Sequence, residues 1–132
     1  MTELEKIYAE YDAAEDKGGS ALNLFRGWFG LGGVNEKRDG EFLEKVKELL
    51  IDLAKDGKRD EAFSAASFIL EHAATAEDSD KGRCKAAVSG FICELVPLFD
   101  SGQKADLSAM LEKLPRRYML DNQMRLKKLL EQ

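Results

Sequence analysis

Apolar positions along this chain recur at helical spacing. Leu4, Ile7, Tyr8 and Tyr11 make one stripe, with acids on the other side, and predict an amphipathic helix over 2–16. Thr2 and Glu5 have capping-box spacing, and Gly18-Gly19 stops the helix. Phe42, Leu43, Val46, Leu49, Leu50 and Leu53 form a second stripe over 40–56, with Glu41, Glu44, Lys45 and Glu48 toward water. Asp56-Gly57 ends that helix, and the next runs from Arg59 to Ala74. The polar stretch "TAEDSDKG" reads as a loop. A helix over 83–99, apolar on most sides, is placed at the centre of the core, with Pro97 kinking it or ending it near Val96. Gly102 marks a turn, a short helix covers 104–114, and Pro115 opens a final helix that runs to the C-terminus. No stretch alternates with period two, so the class is all-α.

These elements predict a compact bundle of five or six helices built from stacked αα-hairpins. The 132 residues suit one domain. Residues 1–17 are its N-terminal helix, 18–39 a glycine- and aromatic-rich irregular segment, and 40–132 a helical-hairpin body. Within that body "LIDLAKDGKRDEA" from Leu50 and "LVPLFDSGQKADL" from Leu95 align without gaps at a 45-residue offset. Leu50 meets Leu95, Leu53 meets Leu98 and Gly57 meets Gly102. The period fits a degenerate two-copy helical-hairpin repeat of the HEAT or armadillo kind, although any two αα-hairpins align their stripes in this way. "LIDLAKDGKRDEAF" also resembles the turn of a pentatricopeptide-type hairpin. That likeness covers a single turn, the period differs, and it implies no RNA-reading function.

Composition adds class and compartment. Charged residues are 34% and hydrophobic ones 44%, as in ordinary globular proteins, and the formal charge is -5. Mild acidity disfavours general nucleic-acid affinity. Cys84 and Cys93 lie nine residues apart on one predicted helix, on roughly opposite faces, so they do not bridge. Free thiols and the lack of a leader-like N-terminus give the expectation of a soluble cytoplasmic protein. The longest apolar run, "AAVSGFICELVPLF", carries Glu94 and Pro97 and is too short to span a bilayer.

Candidate chemistry is thin. His72, the one histidine, has no nucleophile elbow or papain-like cysteine context around it. Two cysteines and one histidine do not make a zinc site, and Glu-x-x-His pairs are missing. "DSDKG" at 78–82 starts like a calcium loop, but its glycine falls one position early and Ser89 stands where glutamate is needed. Gly27, Gly30, Gly32 and Gly33 match neither phosphate-loop pattern. The reading is therefore non-enzymatic, with no cofactor and no metal.

Two surfaces stand out instead. "LFRGWFGLGG" at 24–33 concentrates aromatic surface on a glycine-rich backbone. Phe25, Arg26, Trp28, Phe29 and Leu31 either tuck between helices or serve as an anchor for another protein, Trp and Arg being favoured at interface hot spots. Residues 104–132 carry seven basic and four acidic residues, whereas 1–16 carry six acids and one lysine. Such ends pack together, are solvated, or meet a partner. The expected function is a protein-binding module, in the general manner of small adaptors, regulatory inhibitors and immunity-type proteins, with the aromatic stretch as anchor. The alternative is a nucleic-acid-associated factor using Arg116, Arg117, Arg125, Lys127 and Lys128. Opposed terminal charges and an apolar patch also suit a homodimer.

Overall fold

The computed structural model describes residues 2–14 and 36–132, with Glu36 described by its backbone alone. Among these residues the chain is all-helical, with six α-helices packed together as a bundle and no strand. In α1 (Glu3–Ala13) the Thr2 Oγ1 accepts the Glu5 N–H at 3.1 Å, as the capping spacing predicts. This helix stops three residues short of the expected 16. Its last carbonyls find another partner, because Lys81 Nζ donates to the Asp12 and Ala14 carbonyls at 3.0 and 2.6 Å. Next comes α2 (Glu36–Asp56), so residues 36–39, expected in the irregular segment, are already helical ahead of the expected start at 40. Gly57 follows with φ +67°, a left-handed value that glycine adopts without a Cβ penalty. After that turn, α3 (Arg59–Ala74) matches the predicted bounds.

The largest departure from expectation lies in the central apolar segment. Instead of one α-helix over 83–99, the chain forms α4 (Asp80–Ala87) and then a 3₁₀ helix over Val88–Leu98. Bonds from i to i+3 stack side chains in three columns, and the exposure follows that period. Ser89, Ile92 and Leu95 are buried in one column and Cys93, Val96 and Phe99 in the next, while the third opens along its length, from buried Val88 through part-buried Phe91 to exposed Glu94 and Pro97. Pro97, which lacks an N–H, stands one residue before the end of the segment.

Two further boundaries move. The helix expected over 104–114 is α5 (Ser101–Leu111), started by a capping box in which Asp100 Oδ1 accepts from Gln103 N and Gln103 Oε1 accepts from Asp100 N. Pro115 does not open the final helix. It precedes a single 3₁₀ turn, Arg116–Tyr118, and α6 (Asp121–Leu130) begins beyond it. The two segments aligned at the 45-residue offset are built differently: Gly57 is a left-handed turn residue, whereas Gly102 lies inside α5.

The core runs through the whole bundle. Val46, Leu50, Ile69, Leu70, Ile92, Leu95, Leu107, Leu111 and Leu126 are all fully buried. The 3₁₀ helix packs on α2, α3 and α6, while α1 packs on α2 and α5 on α3 and α6. Thus α2 and the 3₁₀ helix stand between α1 and α6 in the order of packing.

Candidate functional site

Three aromatic side chains of α1 and α2 fix the N-terminal helix. Tyr11 stacks on Phe42 with centroids 4.0 Å apart, and its hydroxyl donates to Asp39 Oδ1 at 2.7 Å. Tyr8 meets the edges of Phe42 and Phe68 at 5.1 and 4.8 Å. Two ion pairs hold the outer face, Lys45 with Glu10 at 3.7 Å and Lys85 with Asp12 at 2.6 Å. The first turn of α1 is thereby held against the C-terminal half of α2 and the N-terminal half of α3.

Between those three elements lies a groove of about 550 Å³. Leu4, Leu49, Leu53, Ala65 and Phe68 form its apolar lining. Glu3, Glu5, Asp60 and Glu61 form its rim, and no lysine or arginine is among the described lining residues. Lys58 approaches Glu61 only to 4.0 Å at the surface, which screens that carboxylate little. The lining follows from sequence: Leu49 and Leu53 are the outer edge of the α2 stripe, and Ala65 with exposed Ser64 leaves room where a larger side chain would close the space. The rim acids occupy the first turns of α1 and α3, where negative charge meets the positive end of the helix dipole.

The opposite charge gathers at α6. Arg116, Arg117, Arg125 and Lys128 are exposed, and Lys127 is half-buried. Arg117 is partly engaged, with Nη2 donating to the Ala76 carbonyl at 3.3 Å and its guanidinium over the Tyr118 ring at 4.7 Å. Among these cations sit Leu120, 63% exposed, and Met124, 42% exposed, the large apolar side chains that stand out on the described surface. The basic residues were legible in the sequence, whereas the two apolar ones were not singled out there. Their i, i+4 spacing was a readable signal, but spacing alone does not tell an exposed apolar pair from a buried one.

The anchor expected from sequence, Phe25, Arg26, Trp28, Phe29 and Leu31, lies outside the described residues. The nucleophile candidates are separated in their surroundings. His72 Nδ1 lies 2.9 Å from the Phe68 carbonyl, and its ring packs against Tyr8 and Phe68. Cys84 is half-buried beside Tyr11 and Cys93 is buried, and both are free. Burial pushes both thiols above the usual cysteine range, the Tyr11 contact opposing it at Cys84 and Arg125 opposing it at Cys93. That direction reduces the thiolate fraction at neutral pH.

Among the described residues no cluster of three or more His, Cys, Asp or Glu is arranged to hold a metal ion, and no helix is long and apolar enough to cross a membrane. No family model matches the chain, and no curated protein or solved structure matches it.

Proposed function

We propose that this chain is a non-enzymatic protein-binding module whose groove between α1, α2 and α3 receives a basic amphipathic segment. The observation that carries the reading is the pairing of an apolar lining, Leu4, Leu49, Leu53, Ala65 and Phe68, with a rim of four carboxylates. A helix that lays an apolar stripe in a groove gains its affinity from desolvated anchors. Surrounding charges set orientation and association rate. The raised thiols of Cys84 and Cys93 and the ring-packed His72 support a structural role for the groups that nucleophilic chemistry would use.

The test is fluorescence anisotropy with a labelled peptide of about 15 residues bearing a leucine stripe flanked by lysines. Binding is expected to weaken as salt rises. The double variant Asp60→Lys, Glu61→Lys should lose about tenfold in affinity or more while its melting temperature stays near that of the parent protein. Peptide binding that is absent, or that survives this reversal, overturns the groove reading. Trp28→Ala separates the groove from the aromatic stretch: affinity unchanged within about twofold keeps the site in the groove, and its loss in a folded protein moves the site to residues 25–31.

A further inference from the structure

The acidic groove and the α6 surface are complementary in both chemistry and charge, and they belong to different faces of one molecule. The groove offers apolar floor inside carboxylates, Glu3, Glu5, Asp60 and Glu61. The α6 face offers exposed apolar side chains beside cations: Leu120 precedes the helix and Met124 lies in its first turn. Arg125 and Lys128 are exposed on the same helix and Arg117 in the turn before it, with Asp121 the one exposed carboxylate of α6 itself. Because α2 and the 3₁₀ helix stand between α1 and α6, the two faces are turned to different neighbours in the bundle.

We propose that the groove binds the α6 face of a second copy of this chain, so that the protein associates head to tail. The inference rests on the groove reading above and names its occupant. Leu120 and Met124 enter the groove against Leu49, Leu53 and Phe68, and Arg125 and Lys128 meet the Asp60 and Glu61 side. A pair joined by one such contact keeps one groove unfilled on one copy and one α6 face unfilled on the other. The contact is heterologous, and repetition gives a closed ring or an open chain of copies rather than a two-fold dimer.

Sedimentation velocity on the full chain tests this with two variants made at exposed positions. One is Asp60→Lys, Glu61→Lys, which spoils the groove; the other is Leu120→Ala, Met124→Ala, which removes the apolar part of the α6 face and leaves its cations. The parent protein is expected to grow in mass with concentration and to dissociate with added salt. Each variant alone should sediment as a monomer. Mixed, they should form a 1:1 heterodimer and stop there, because the mixture holds one working groove and one working α6 face.

A parent protein that stays monomeric at the highest concentration reached overturns the proposal. So does a variant that still self-associates, or a mixture that forms no heterodimer. Association that is lost on deleting residues 24–31 and survives both variants assigns the contact to the aromatic stretch and also overturns it. The leucine-lysine peptide distinguishes the failures. If it binds a monomeric parent protein at the groove, the groove reading stands and the self-association fails; if neither binding nor association is seen, both fall.

Discussion

Gly82 occupies a position that no other residue fits. A Cβ there would stand 1.7 Å from the Glu77 carbonyl oxygen and 3.0 Å from the Tyr118 hydroxyl, which donates to that same carbonyl. Gly82→Ala therefore forces the loop before α4 away from the 3₁₀ turn, and a loss of about 3 kcal/mol is expected in urea denaturation. Gln123 is as constrained by hydrogen bonding. Buried to 2% exposure, its Nε2 donates to the Ala86 carbonyl at 3.0 Å and to Ser89 Oγ at 3.1 Å. Gln123→Leu removes both bonds and the one its Oε1 accepts from the Leu120 N–H, while the Ala86 carbonyl keeps the Ser89 hydroxyl. It should cost about 2 kcal/mol by the same measurement. Tyr8 is the opposite case, since its hydroxyl is buried with no hydrogen-bond partner among the described residues. Tyr8→Phe should leave stability unchanged or raise it slightly, because no bond is lost and a desolvated group is removed. Burial raises the Tyr8 and Tyr11 phenols above the ordinary 10.0, and the Cys84 and Cys93 thiols above 9.0. The fold thus favours their neutral forms. Their contribution is complete below those ordinary values and is lost as pH climbs past them toward the raised ones. The urea midpoint should be flat around neutrality and fall from about pH 9 upward.

At the scale of elements, what the sequence revealed depended on amphipathicity. Stripes with a wet side, such as Leu4 to Tyr11 and Phe42 to Leu53, predicted α1 and α2 to within a few residues, and Asp56-Gly57 fixed the turn into α3. The segment 88–98 has apolar residues on most sides, and a period of three and a period of 3.6 give nearly the same pattern over eleven such positions. Its 3₁₀ form depends on partners distant in sequence. Gly90 lies where a Cβ would come within 2.7 Å of Asn122 Cβ, and Ser89 is tied through Gln123 to α6. Gly90→Ala should lower the melting temperature, and adding Asn122→Gly should recover part of the loss if that contact is the cause. Of the candidate site, the cations of α6 and the acids of α1 were legible from composition. The groove was not, because it needs the first turns of α1 and α3 brought to the same end of α2, which only tertiary packing decides.

For the whole molecule the separation of charge matters more than its sum. The formal total is -5, yet acids collect at the α1–α3 end and cations around α6, so the protein carries a dipole that acts on association within a Debye length of contact. Between those poles runs the 3₁₀ helix, in contact with α2, α3, α4 and α6. Each of its residues turns the chain by about 120°, so every third position returns to the same neighbour. A sequence altered there by one inserted or deleted residue would rotate Glu94 and Pro97 inward and turn a buried column to water. An insertion or deletion of three would restore each column to its own side and shift only the distance spanned. Tolerance to length changes in this segment should come in threes, a reading frame written in the backbone rather than in the codons.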